Sequence, residues 1–205
     1  MEGEMTQQVH AHMSLSLDGY GTGLNQTREK PFGDIPDGEP MHRWMIEDAE
    51  NNKAEIDAIC DYGAFIMGRN MFAAPGPDVW EEEWKGWWGP NPPYHAPVFV
   101  LTHHAHAPIE MEGGTVFHFV TEGPDVAMAR ARQAAGARNV VIAGGVSTLR
   151  NYLNAGAVDM LHLQIAPVVI GAGECLWHGL TATLEPSGAR QTRFTTHMDY
   201  RVVKA

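Results

Sequence analysis

Three stretches of this chain end an apolar run with residues suited to gripping an anion. In Val140-Val141-Ile142-Ala143-Gly144-Gly145-Val146-Ser147-Thr148-Leu149, a strand-like run meets paired glycines, and a hydroxyl pair then opens a helix. Glycines remove Cβ atoms where a phosphate must approach the backbone, and Ser147 or Thr148 can both cap the helix and bond a phosphate oxygen. The spacing is not G-x-G-x-x-G. In Phe65-Ile66-Met67-Gly68-Arg69-Asn70-Met71, a helix starting after Gly68 would offer free N–H groups, and Arg69 supplies a planar guanidinium fork. Val98-Phe99-Val100-Leu101 delivers Thr102 and His103 to the carboxyl edge of a sheet, where ligands of open α/β sheets gather. Each stretch has a plainer reading: a tight βα turn, a solvated arginine, a polar strand cap. Together they read as three strand ends built to hold a dinucleotide.

The elements that must position these ends follow from periodicity and punctuation. Val9 to Leu17 reads as a first strand closed by Asp18-Gly19. Residues 20–40, rich in Gly, Pro, Asn and Asp, are too long for an ordinary connector and suit a binding loop or lid. One long helix is expected from Glu39 or Pro40 to about Tyr62, with Trp44, Met45, Ile56 and Ile59 inward and Asn51, Asn52 and Lys53 toward water. Short strands follow at Ala64–Met67, Val98–Leu101, Thr115–Val120 and Asn139–Ala143, with helices from Thr121, as cap, to Ala135 and from Ser147 to Asn154. A long strand, Met160–Ile170, precedes a closing hairpin formed by Arg190–His197 and Asp199–Val203. Strands alternating with helices predict an α/β sheet in one domain spanning residues 1–205, with residues 1–8 unstructured.

Composition narrows the partners. The 205 residues carry a formal net charge of -11, so nucleic acid and anionic membranes are disfavoured, and any bound phosphate must be held locally. Cys60 and Cys175 match no zinc or redox spacing. Residues 1–8 lack the apolar core of a secretory signal, and no apolar run approaches ~18 residues, so a cytoplasmic protein is expected.

Taken in order and spacing, the three segments resemble the dihydrofolate reductase superfamily. The likeness is greatest to the reductase domain of the bifunctional riboflavin-biosynthesis deaminase/reductase and its stand-alone bacterial relatives. Ser14-Leu15-Ser16-Leu17-Asp18-Gly19 resembles the family's opening strand and turn. Gly23-Leu24-Asn25-Gln26 resembles a loop of the stand-alone relatives, and the stretch from Leu161 to Gly173 resembles the long strand and Gly-rich bend near the C-terminus. The likeness runs from about Val9 to Val203.

The resemblance implies a dihydrofolate-reductase-like α/β fold: a mixed, mostly parallel sheet with helices on both faces and an antiparallel C-terminal hairpin. It implies NADPH as cofactor. Gly68, Arg69 and Asn70 would approach its phosphates, and Thr102 and His103 would lie near the adenosine 2′-phosphate. Gly144, Gly145, Val146, Ser147 and Thr148 would wrap the pyrophosphate, with the paired glycines joined by a cis bond as they often are in the family. Asp18 and Gly19 would sit near the nicotinamide, covered by residues 20–26. The implied reaction is hydride transfer to a C=N or C=O carbon of a small pyrimidine- or pterin-like heterocycle, with Asp18 and Asp48 as candidate proton donors.

The chain departs from the family in lacking the P-C-x-x-C of a zinc deaminase and in placing no clear acid in the pocket. The best-specified substrate is a phosphorylated ribosylamine. Arg28, Lys30 and Arg43 suit it, whereas Glu29, Asp34, Asp37 and Glu39 oppose a strong anion site. Dihydrofolate reduction is the alternative enzyme, and an NADP(H)-binding sensor or scaffold without turnover is the alternative of another class. A homodimer is the expectation for a symmetric soluble enzyme.

Two other features draw attention. His10 and His12, and His103, His104 and His106, cluster without a completing Cys or carboxylate at ligand spacing, so no metal is expected. Trp80, Trp84, Trp87 and Trp88 are read as packing or a dimer contact before a substrate wall, and Glu81, Glu82 and Glu83 as a solvated face.

Overall fold

Alternation along the first strand, β1 (Val9–Ser16), turns Val9, Ala11 and Leu15 into one apolar layer and His10, His12 and Ser14 to the opposite face. The computed structural model describes residues 6–35, 40–73 and 83–204. The remaining strands are β2 (Tyr20–Thr22), β3 (Ala64–Gly68), β4 (Pro97–Leu101), β5 (Ile109–Glu110), β6 (Val116–Val120), β7 (Val140–Gly144), β8 (Met160–Ala166), β9 (Glu174–Cys175), β10 (Thr183–Gln191) and β11 (Thr196–Val203). Nine of them form one sheet in the order β10-β11-β8-β1-β7-β3-β4-β6-β5, while β2 and β9 pair separately. From β8 to β6 all neighbours are parallel; β11, β10 and β5 add antiparallel edges. The expected mixed sheet with its C-terminal hairpin is therefore observed.

Parallel strands buried on both faces read as unbroken apolar runs. In β3, Ala64 and Ile66 join the core under α4 (Pro124–Ala135) and α5 (Val146–Asn154), while Phe65 and Met67 join a second core with Phe72, Tyr94 and Phe117. On that second face Trp84 donates its indole N–H to the Phe72 carbonyl at 2.9 Å, and Trp88 stacks on Phe117 at 5.8 Å. These tryptophans serve burial. Trp80, Glu81 and Glu82 lie outside the described residues, and Glu83 is exposed.

The single helix expected to end at Tyr62 is instead broken. A 3-10 turn at Pro40–His42 leads to α1 (Arg43–Ile46), and a second at Glu50–Asn52 leads to α2 (Lys53–Cys60). Asn52 is the cause. Its side-chain amide donates to the carbonyls of Trp44 at 3.2 Å and Asp48 at 2.7 Å, offering the backbone a partner that competes with helix. Asn52, expected in water, is fully buried. The long strand also stops earlier, at Ala166, because Pro167 cannot donate to the ladder. The hairpin begins earlier than expected, at Thr183. At the N-terminus Met1–Met5 lie outside the described residues, but Gln7 donates to the carbonyls of Arg132 and Gly136.

The strand histidines form a hydrogen-bonded cluster. His12 Nε2 and His10 Nδ1 both meet the Tyr62 hydroxyl, at 2.8 and 3.1 Å, and His162 Nδ1 meets Asp199 at 2.6 Å. Burial, then the neighbouring His162 and His10, push the His12 pKa down to about 3. Among the described residues no group of three or more His, Cys, Asp or Glu is placed to hold a metal ion, and no helix is long and apolar enough to cross a membrane.

Candidate functional site

The carboxyl ends of β3, β4, β6 and β7 open into one cleft of about 470 Å³. Gly68, Arg69 and Asn70 line it from β3, Thr102 and His103 from β4, and Gly145, Ser147 and Thr148 from β7. The three segments singled out from sequence thus meet at one place. The cleft also takes in Thr121, Gly123, Asn151 and Tyr152, which sequence reasoning missed. Asn151 was legible, since it stands four residues after Ser147 and so on the same helix face. Gly123 is not, because the sequence favours Thr121 as the helix cap, whereas Gly123 holds that position.

The lining is rich in unfilled backbone donors. Gly145 is the N-cap of α5 and Gly123 that of α4, and neither helix has a side-chain cap. Ser147 and Thr148 therefore do not cap α5 as expected; a glycine holds that position and leaves the first N–H groups to a ligand. The Gly144–Gly145 peptide bond is cis. Gly68 lies so close to Thr148 that a Cβ there would come within 2.5 Å of the Thr148 hydroxyl oxygen. Among the described residues the charged and titratable lining groups are Arg69, His103, His104 and the Tyr152 hydroxyl, with no carboxylate. In a chain of net charge -11 this is a local exception that favours an anion.

The other expected site residues sit elsewhere. Val146 is buried, and its methyl group lies 2.4 Å from where a Cβ on Gly21 would stand, so it packs the β2 strand down instead of lining the cleft. Gly19, in the left-handed region at φ 88°, closes the turn after β1 against the Trp177 ring. Asp18 accepts from the Ser16 hydroxyl at 2.7 Å and from the backbone N–H groups of Ile170 at 3.1 Å and Gly171 at 2.7 Å. Slight burial raises its pKa, but these bonds outweigh it and hold the carboxyl below its ordinary value. Asp48 accepts from Asn51 at 2.6 Å and from Asn52 at 3.3 Å. Both carboxylates thus brace the chain, and neither lines the cleft.

Of the long loop, residues 20–35 and 40 are described; Asp37 and Glu39 lie outside the described residues. Gly23 donates to Phe32, Asp34 to Leu24 and Thr27 to Lys30, forming a small hairpin whose Arg28 lies 4.8 Å over the Trp84 ring. Lys30 and Arg43, weighed as anion anchors, pair with Asp34 at 3.4 Å and Glu47 at 2.7 Å.

The family model of the RibD C-terminal domain matches residues 7–196. The chain belongs to the RibD C-terminal domain family. This is a family of riboflavin-pathway-type reductases, hence of oxidoreductases. Over 84 residues the chain is 32% identical to the uncharacterized protein YwjB of Bacillus subtilis (strain 168), a stretch covering 40% of this chain and about half, 48%, of that one. A putative riboflavin biosynthesis protein from Shewanella sp. PV-4 superposes with a TM-score of 0.60 at 17% identity, over 97% of this chain and 100% of that one. The diaminohydroxyphosphoribosylaminopyrimidine deaminase/5-amino-6-(5-phosphoribosylamino)uracil reductase of Thermotoga maritima gives 0.58 at 13% identity, over 96% of this chain and 57% of that one. Dihydrofolate reductase from Enterococcus faecalis complexed with NADP(H) gives 0.52 at 14% identity, over 96% and 97%. The RibD C-terminal domain of this chain therefore has the dihydrofolate-reductase-like fold.

Proposed function

We propose that the protein is an NADPH-dependent reductase that passes a hydride to a C=N or C=O carbon of a small heterocycle. The observation that carries this reading is the cleft at the strand ends, lined by the glycine N-caps of α4 and α5 and by Arg69, with no carboxylate among the described lining residues. Such a lining fits a pyrophosphate, and Gly145, where a Cβ would meet nothing within 4 Å, leaves its backbone open to close approach.

NADPH supplies the hydride; the chain's work is to bind and orient it and to exclude water. Arg69 and Asn70 grip phosphate oxygens, Ser147 and Thr148 bond the pyrophosphate, and Thr102 and His103 meet the 2′-phosphate. Asp18 acts by tying the turn after β1 to the loop after β8, so that the substrate proton comes from water and not from this carboxylate. The same occupied carboxylates favour a second reading, an NADP(H)-binding protein without turnover.

The test is to mix the protein and NADPH with pterins and with aminouracils of the riboflavin pathway and to follow loss of the reduced-nicotinamide absorbance. Turnover of either class supports the reductase. NADPH binding without oxidation of any C=N or C=O compound would leave the second reading standing.

A further inference from the structure

A two-stranded ribbon of two or three residues a side is marginal on its own, so what holds it decides whether it is ordered. Among the described residues β2 and β9 pair only with each other, Tyr20 with Cys175 and Thr22 with Glu174, and stand apart from the nine-stranded sheet. The ribbon carries the turn after β1. The Leu176 N–H donates to the Gly19 carbonyl at 2.9 Å, and the Trp177 ring fills the space that a side chain on Gly19 would need.

The support comes from α5. Val146, Arg150 and Asn154 recur every four residues and so share one stripe of that helix. Val146 packs against Gly21 of β2. The Arg150 guanidinium donates to the Cys175 carbonyl of β9 at 2.7 Å, and it pairs with no carboxylate among the described residues. Asn154 holds the chain just beyond β9, donating to the Gly179 carbonyl at 2.8 Å and accepting from the Thr181 N–H at 2.9 Å. Ser147, Thr148 and Asn151 line the cleft together with the Gly145 cap. The same short helix therefore meets the cleft along one stripe and the ribbon along another.

Of the polar holds on the ribbon, that of Arg150 has the charged donor, which makes the stronger kind of hydrogen bond. It also reaches the strand itself, at the residue that pairs with Tyr20. A ligand that fills the open N–H groups at the start of α5 fixes the first turn of the helix, and Arg150 stands in the next turn.

We propose that Arg150 is a positioning residue that couples the cofactor cleft to the β2–β9 ribbon, so that NADPH bound at α5 steadies the Gly19 turn. The inference rests on the reductase reading above. The coupling is reciprocal: release of the ribbon weakens NADPH by the factor with which NADPH steadies the ribbon. The turn that closes β1 is then settled in the loaded protein and looser in the empty one.

The test is hydrogen exchange of the full chain with and without saturating NADPH, read on peptides covering residues 17–23, 145–154 and 172–178. In the wild type NADPH is expected to slow exchange at the start of α5 and, about fivefold or more, in the ribbon. Arg150→Met and Arg150→Gln remove the charged donor. In both, NADPH should still protect α5, with its affinity lowered by no more than that factor, while its effect on the ribbon disappears. Arg150→Lys keeps a charged donor and should restore part of the effect. A purely structural anchor would instead speed ribbon exchange equally with and without NADPH, and that unchanged ratio would overturn the inference. So would protection of α5 in the wild type with none in the ribbon. Failure of the wild type to bind NADPH would instead overturn the reductase reading itself.

Discussion

Gly68→Ala probes the floor of the cleft without disturbing the backbone. Gly68 has φ -77° and ψ 158°, a conformation alanine adopts freely, so the effect is steric. The new methyl would lie 2.5 Å from the Thr148 hydroxyl oxygen, well inside the ~3.5 Å of ordinary contact. Overpacking of this kind costs about 1–3 kcal/mol, and the loss of unfolded-state freedom on replacing glycine returns about 0.4–1 kcal/mol. The expected net loss is about 1–2 kcal/mol in urea denaturation. Thr148→Ala removes the opposing atom, so the double variant should recover most of that loss, giving a coupling near 1 kcal/mol. Losses that add to within about 0.5 kcal/mol would show that the two residues do not meet, and the floor as drawn would be wrong.

Other outcomes follow from the same geometry. Asn52→Ala should cost about 2–4 kcal/mol, because it strands two backbone carbonyls and the His197 Nε2 proton, and chemical denaturation measures it. Asp18→Ala should cost about 1–2 kcal/mol at neutral pH, discounted for exposure. Because the folded pKa of Asp18 is depressed, that difference should hold above the unfolded carboxylate range and vanish as pH falls through the folded pKa. His12, with its pKa near 3, resists protonation that the unfolded chain accepts near 6.5, so stability should fall as pH drops from about 6.5 toward 3. His12→Gln should flatten that decline by up to about 1.4 kcal/mol per pH unit, and an unchanged slope would show that His12 is not the titrating group.

The parts of the fold that the sequence disclosed are those governed by short-range rules. The buried runs of β3, β4, β6 and β7, the glycine stop after α4 and the glycine pair before α5 each carry their own punctuation, and the cleft is assembled from them. What escaped depends on partners distant in the chain. Asn52 looked like a solvated residue because its role is fixed by His197, 145 residues away. Asp18 looks like an acid beside a nicotinamide because its partners in the loop after β8, the N–H groups of Ile170 and Gly171, lie more than 150 residues on. Trp44 is legible as an inward residue, but the burial of its indole N–H without a partner among the described residues is not, since an apolar environment around a polar atom is a property of packing and not of spacing.

The central claim is that the strand-end cleft holds NADPH through backbone donors and Arg69. Its most direct test is a fluorescence titration of wild type and Arg69→Ala with NADPH and with NADH. NADPH is expected to bind more tightly than NADH, and Arg69→Ala to weaken NADPH roughly ten- to hundredfold through loss of a charged hydrogen bond. Equal affinity of the wild type and Arg69→Ala for NADPH, or no binding of either nucleotide, would contradict it.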